Sequence, residues 1–383
     1  MSQLNRALAK RQPGSSFKPF VYAAALNTAL EGGSKVFTPI STIVDEPTTF
    51  WYDGKPYEPS NFKDEYRGTV TLRQAIAKSM NVPTVKLAES VGYEAVVELA
   101  RNAGMNLHIK PTPALALGAY EVTPIEIAGA YTIYPNRGVY LKPHWIKIIR
   151  AEAGKTIFTS KTESRPVLDP RVAYMMVNMM EEVLRSGTGA GVRAQGFLLP
   201  AAGKTGTSHD GWFAGFTSKL ICVVWVGFDD NRELNLEGAH SALPIWTEFM
   251  KRAHQYREYR GVREFAAPDG VVSVQIDPAT GQLASPNCPG VRSEVFIAGT
   301  QPVEVCHLHG GGRSSSTLVA GWDAGAPPAD AATASAGTSD KAKAAVHARG
   351  RSRKPPESPP MQAQAPPPPA KRSIFRRLLD VFK

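Results

Sequence analysis

Along the first 255 residues the apolar positions follow two different periods. Pro13-Gly14 closes an extended start, and the apolar run that follows, through Leu26, predicts a helix. Thr71 to Lys78 and Pro83 to Glu89 predict two short helices around a polar break, and Tyr93 to Ala103 is amphipathic with Gly104 at its C-cap. Thr123-Pro124-Ile125-Glu126 combines a capping box with proline at the first helical position. Asp169-Pro170 opens a helix that runs to about Leu184 and stops before a glycine-rich turn. The period then drops to two. Ala201–Thr207, Trp212–Thr217 and Leu220–Phe228 predict three consecutive strands, with turns at Ser208–Gly211 and Ser218-Lys219. Connections this short cannot make parallel crossovers, so the sheet is expected to be antiparallel. A helix over Leu243–Ala253 follows, and the fold class is α+β, an antiparallel sheet packed with helices.

Beyond that body the pattern weakens. Residues 1–255 read as one domain and 256–310 as a small, turn-rich extension holding a short strand at Val271–Ile276. Residues 311–370 run from Gly/Ser through Ala/Thr/Ser to Pro-rich sequence, which buries too little to offset its ordering entropy and is expected to be a disordered linker. In 371–383 the pattern returns: Ile374, Phe375, Leu378, Leu379 and Phe382 share one helical face, with Arg376, Arg377, Asp380 and Lys383 off it. This basic, amphipathic tail helix is expected to form only on an anionic membrane surface or against an acidic protein partner.

Charge sharpens this division. The chain carries a formal net charge of +10, but residues 341–383 hold eleven Lys and Arg against Glu357 and Asp380. The body is therefore almost neutral, and no basic-aromatic interleaving suggests a nucleic-acid groove. No apolar run of about 18 residues is present, so no signal peptide or transmembrane helix is predicted.

Three cysteines complete the inventory. Cys222 sits in the apolar run Leu220–Val226 and reads as a buried strand residue. Cys288 and Cys306 are compatible with a disulfide, the form expected outside the cytoplasm, and equally with two unpaired thiols. A zinc site built from Cys306, His307 and His309 lacks a convincing second pair of ligands, so no metal and no cofactor are assigned.

Three short motifs carry chemistry. Ser15-Ser16-Phe17-Lys18 is an S-x-x-K motif at a helix start, where one turn brings Ser15 and Lys18 to the same side. The helix N-terminus favours negative charge developing on the serine oxygen, and a partly buried lysine near another cation deprotonates readily and serves as a base. A second copy, Ser60-Asn61-Phe62-Lys63, lies in a polar segment without helical pattern and reads as a chance match. Ser79-Met80-Asn81 falls in the break between two short helices, where a hydroxyl can relay a proton and an amide can orient a carbonyl; Ser285-Pro286-Asn287 has the same form. Lys204-Thr205-Gly206-Thr207 lies on the first predicted strand. Lys204 is expected at an open cleft as a fixed positive charge. Thr205 and Thr207 offer hydroxyls to a carboxylate, and Gly206 lets a substrate backbone approach the strand.

Together, in this order and 64 and 125 residues apart, these motifs are the signature shared by penicillin-binding proteins and class A β-lactamases. With the surrounding text (Arg11-Gln12-Pro13-Gly14, Asn61-Phe62, Arg67-Gly68, Thr71-Leu72-Arg73, Ser186-Gly187-Thr188-Gly189, Trp225-Val226-Gly227-Phe228-Asp229 and Pro244-Ile245-Trp246), residues 5 to about 253 resemble the transpeptidase domain of a class A, bifunctional penicillin-binding protein. Met80 in place of the aspartate of S-D-N favours that reading over a class A β-lactamase.

The resemblance implies a serine D-Ala-D-Ala transpeptidase that cross-links peptidoglycan stem peptides and is acylated by β-lactams. It makes Ser15 the nucleophile and Lys18 its base. Ser79 and Asn81 relay the proton and position the donor peptide, Lys204 and Thr205 supply electrostatics and geometry, and Thr207 binds the terminal carboxylate. The N–H groups of Ser15 and Thr207 form the oxyanion hole. It also implies work at the periplasmic, extracytoplasmic face of the inner membrane. The family places two strands ahead of the nucleophile helix, and ten residues precede Arg11. Those strands, the glycosyltransferase domain and the anchor are therefore expected to be absent from an N-terminally truncated chain, leaving Leu220–Phe228 as a bare edge. The motifs alone also fit a D,D-carboxypeptidase, a β-lactamase or an inactive peptidoglycan-binding fragment.

Overall fold

The computed structural model describes residues 4–33 and 35–309. The linker and tail read from the sequence at 311–370 and 371–383 lie outside the described residues. Eight helices carry most of the body: α1 (Lys18–Asn27), α2 (Leu72–Ala77), α3 (Val82–Val91), α4 (Tyr93–Asn102), α5 (Pro124–Ala130), α6 (Pro170–Arg185), the single turn α7 (Gly191–Ala194) and α8 (Ala242–Ala253). Each begins or ends for a local reason. A 3₁₀ turn over Gly14–Phe17 runs straight into α1, which is buried on every side from Lys18 to Leu26, the expected state for a helix apolar all round. Capping boxes Thr71/Gln74 and Thr123/Glu126 start α2 and α5. Asp169 accepts the Arg171 N–H ahead of Pro170 at the start of α6, whose buried face carries Met175, Met176, Met179 and Met180. The end of α4 differs slightly from expectation: Ala103 is the cap, and Gly104, at φ +87°, makes the left-handed step one residue later.

In chain order, the strands that matter for the site begin with β1 (Thr42–Asp45) and β2 (Gly68–Thr71), an antiparallel pair leading into α2. The expected three-stranded sheet follows as β3 (Ala202–Thr207), β4 (Gly211–Phe216) and β5 (Ile221–Val226), antiparallel in the order β5-β4-β3. Gly211 pairs with Thr207 on one side and Val226 on the other. Strand β4 is buried on both faces, β3 is buried up to Gly206, and β5 is half-buried. Trp212, Ala214 and Phe216 join the core built by α1–α6, with Ile221, Val223 and Trp225 packed against it. Phe213 joins a second cluster with Val192, Leu243, Trp246 and Met250, against which Cys222, Val224 and Val226 pack. The strand period of two therefore sorts alternate residues into two helical layers. Among the described residues β5 pairs only with β4. Near its end, the Arg11 guanidinium lies 5.3 Å from the Trp225 ring centre and donates to the Phe228 carbonyl at 3.1 Å.

The extension contains the expected strand, β6 (Val271–Ile276), and a partner the sequence did not reveal, β7 (Arg292–Ile297). Val295 and Ile297 of β7 join the main core. Beside them Glu294, 1% exposed, forms a buried ion pair with Arg73 of α2, whose guanidinium also donates to the carbonyl and side-chain oxygens of Asn178. No described helix is long and apolar enough to cross a membrane.

Candidate active site

Backbone contact brings the three motifs together. Gly14, at φ +53°, sits so close to the Thr207 carbonyl that no Cβ would fit, and its N–H donates to the Gly118 carbonyl at 3.3 Å. This seats the 3₁₀ turn carrying Ser15 directly against the end of β3. The space around Gly206 is filled by the protein itself, not by substrate as the sequence suggested. A Cβ there would meet the Pro13 carbonyl at 2.5 Å and the Ser16 nitrogen at 3.0 Å. Gly206 therefore lets the strand and the turn carrying Ser15 pack together, while Thr205 and Thr207 line the cleft.

That cleft has a volume of about 590 Å³ and is bordered by Ser15, Ser79, Asn81, Thr205 and Thr207. Lys18, one turn beyond Ser15, is fully buried beneath it. Its Nζ donates to the Ser79 carbonyl at 2.6 Å, the Met80 carbonyl at 3.0 Å and Asn81 Oδ1 at 2.7 Å, with Ser79 Oγ at 3.5 Å. Ser79 adopts φ +57°, a left-handed conformation that non-glycine residues seldom take. It presents its carbonyl to Lys18 and its hydroxyl to Lys204, whose Nζ donates to Ser79 Oγ at 2.8 Å and to the Thr205 carbonyl at 3.0 Å.

Lys204 was expected at an open cleft, and the structure corrects this: it is fully buried, with its Nζ held against Ser79 and Thr205. Burial lowers its pKa to about 7. Burial, and secondly the positive charge of Lys204, hold Lys18 well below the usual lysine range. The two buried amino groups share one serine hydroxyl and have only neutral oxygens as described hydrogen-bond partners, so no carboxylate offsets the burial that lowers both pKa values. This is the setting a lysine base requires.

Several groups that organise the cleft had no assigned role in the sequence. Asn61 Nδ2 donates to Asp45 at 2.6 Å, and its Oδ1 accepts the backbone N–H of Asn81 at 2.8 Å, locking the S-x-N loop to β1. Thr188 and Thr205 hydroxyls meet at 2.6 Å. Thr207 Oγ1 accepts the Gly238 N–H at 3.1 Å, and Glu237 lines the wall nearby. Asn61 and Thr188 stood in matching stretches of sequence; Glu237 gave no signal. The second S-x-x-K copy lies on the cleft rim, where the Ser60 carbonyl accepts the Asn81 amide at 2.8 Å. Its Lys63 lies at φ +58° with Nζ 5.2 Å from the Phe62 ring centre, so this copy forms no buried serine-lysine pair. Ser285 donates to Cys288 in the extension, and the cleft lining does not include it.

The penicillin binding protein transpeptidase domain model matches residues 2–251. The chain belongs to this family. Residues 267–311 match a second model, the C-terminal domain of penicillin-binding protein 1A. Penicillin-binding protein 1A of Aquifex aeolicus is 38% identical over 314 residues, covering 80% of this chain and 41% of that protein. The crystal structure of penicillin-binding protein 1A from Haemophilus influenzae superposes with a TM-score of 0.72 at 31% identity, over 80% of this chain and 50% of that one. The PonA1 protein of Mycobacterium tuberculosis, solved with penicillin V, shares the fold at a TM-score of 0.58 and 24% identity, over 70% and 74% of the two chains. The chain thus spans about half the length, or less, of these first two relatives. The α+β architecture read from the sequence is that of penicillin-binding transpeptidase domains.

Proposed function

We propose that the chain is a serine D,D-transpeptidase acting on peptidoglycan stem peptides ending in D-Ala-D-Ala. The observation that carries the reading is the pair of buried, proton-poor lysines converging on Ser79 directly beneath the cleft that Ser15 lines. Neutral Lys18 takes the Ser15 proton as Oγ attacks the penultimate D-Ala carbonyl. The oxyanion forms against the N–H groups of Ser15 and Thr207, an arrangement worth roughly 3 kcal/mol in related acyl transfers. Collapse breaks the peptide bond, and the departing D-Ala amine receives its proton through the Ser79 hydroxyl from Lys204 or Lys18. A second stem-peptide amine then attacks the ester carbonyl, passes a proton back along the same route, and releases Ser15 with a new peptide bond. Thr205 and Thr207 hold the donor's terminal carboxylate, and Asn81 positions its backbone.

A β-lactam presents the same carbonyl geometry without a diffusible leaving group, so it acylates Ser15 and blocks the second step. The site of action is inferred to be the extracytoplasmic face of the membrane, because the substrate is there. A D-Ala-D-Ala peptide donor mixed with a D-amino acid acceptor tests the reading. The expected result is D-Ala release with formation of the exchanged peptide, both lost in Ser15→Ala. Release into water without exchange would make the chain a carboxypeptidase, and no release would make it a binding fragment.

A further inference from the structure

In the extension beyond residue 255, four potential ligands from separate points of the chain converge. Asp277 follows β6, Cys288 lies in the loop between β6 and β7, and Cys306 and His309 form a C-x-x-H turn at the end of the described chain. Their ligand atoms all lie within 4.8 Å of one another. Asp277 Oδ2 lies 3.0 Å from Cys306 Sγ and 2.7 Å from His309 Nδ1, and Cys306 Sγ is 3.6 Å from that nitrogen. Around a tetrahedral zinc, bonds near 2.0–2.3 Å place neighbouring ligand atoms roughly 3.3–3.8 Å apart. The observed separations bracket that edge, so closure needs only side-chain adjustment. Asp277 and Cys306 are nearly completely buried, whereas His307 is exposed and lies outside the group. Cys288 and Asp277 are therefore the ligands that the sequence failed to supply for Cys306 and His309.

We propose that Asp277, Cys288, Cys306 and His309 form a closed, structural site for a divalent transition metal of the zinc class. Two sulfurs, an imidazole and a carboxylate are the donor set that borderline-soft zinc takes in such sites. The second shell is present: the Ala279 N–H donates to Asp277 Oδ1 at 2.9 Å, and the Ser285 N–H donates to Cys288 Sγ at 3.2 Å. So is a frame, because Leu283 bridges both Ile276 and Val305, and the Cys306 N–H donates to the Leu283 carbonyl at 2.8 Å. A disulfide between Cys288 and Cys306 would explain the two sulfurs but not why a buried carboxylate and an imidazole converge on them. A segment this short has little core of its own, and a metal clip is a common remedy. Binding displaces the two thiol protons and fixes the C-terminal turn to the β6–β7 hairpin.

The test uses the full chain, isolated without reductant or chelator. Elemental analysis is expected to give one zinc per chain, and X-ray absorption a shell of two sulfurs with two lighter ligands. Cobalt substitution should give the intense visible bands of tetrahedral coordination with thiolate charge transfer. Cys306→Ser and His309→Ala should each weaken zinc binding by at least ~100-fold, while His307→Ala leaves it unchanged. A Cys288–Cys306 disulfide in the isolated protein would overturn the proposal. So would two alkylatable thiols that bind no zinc after dialysis against the ion, or retention of zinc by His309→Ala with loss in His307→Ala.

Discussion

Replacing Lys204 by methionine separates chemistry from stability. Met keeps an unbranched apolar stem, one atom shorter, and removes the charge. Lys204 ionises at about 7 in the folded protein against 10.5 when exposed. Its folded pKa is the lower one, so between those values the unfolded chain binds more protons and stability rises with pH. The deficit it imposes is ~4 kcal/mol at pH 7 and ~2 kcal/mol at pH 9. Against this, the variant loses hydrogen bonds to Ser79 Oγ, the Thr205 carbonyl and Thr205 Oγ1, about 1 kcal/mol each. Lys204→Met should therefore be more stable than the wild type by ~1 kcal/mol at pH 7 and less stable by ~1 kcal/mol at pH 9. Urea unfolding of both proteins across that range reads the difference directly. Acylation by a fluorescent penicillin should slow by ~10²-fold or more. Its acidic limb should move to higher pH, because Lys18 loses the neighbouring charge that helps hold its pKa down. A stability difference that stays constant with pH, or a variant that acylates with the wild-type rate and pH profile, would refute the assignment of a buried, proton-poor Lys204.

Glu294→Ala strands the buried Arg73 guanidinium and should cost about 3–5 kcal/mol in unfolding experiments. Thr188→Val removes the hydroxyl that meets Thr205. It should lower the acylation rate several-fold while changing stability by no more than ~1 kcal/mol, measured by stopped-flow labelling and thermal unfolding. Asn61→Leu, similar in size, leaves the Asn81 N–H without its acceptor; it should slow acylation and raise amide exchange at residues 79–82.

The three motifs that meet at the cleft were legible because each is local. S-x-x-K is one helical turn, S-x-N one tight break, and K-T-G one strand whose alternation continues through Trp212–Phe216 and Ile221–Val226. What the sequence hid depends on long-range packing. Lys204 read as a cleft residue because nothing in its neighbourhood shows that the turn around Ser16 closes over β3. Strand β7 was missed because Glu294 occupies an inward position, and its partner Arg73 lies 221 residues earlier. The left-handed Ser79 cannot be read from a residue type that normally avoids that conformation. The Asp277, Cys288, Cys306 and His309 group was missed for a similar reason: its irregular spacing makes sense only once Leu283 ties the two ends of the extension together.

The central claim is that Ser15, activated by Lys18, is the nucleophile. Intact-mass and tandem mass spectrometry of the chain after reaction with penicillin test it most directly. The expected result is one penicilloyl adduct per chain, located on Ser15, absent in Ser15→Ala and undiminished in Ser60→Ala. An adduct on Ser60, or none on a chain shown to be folded, would contradict it.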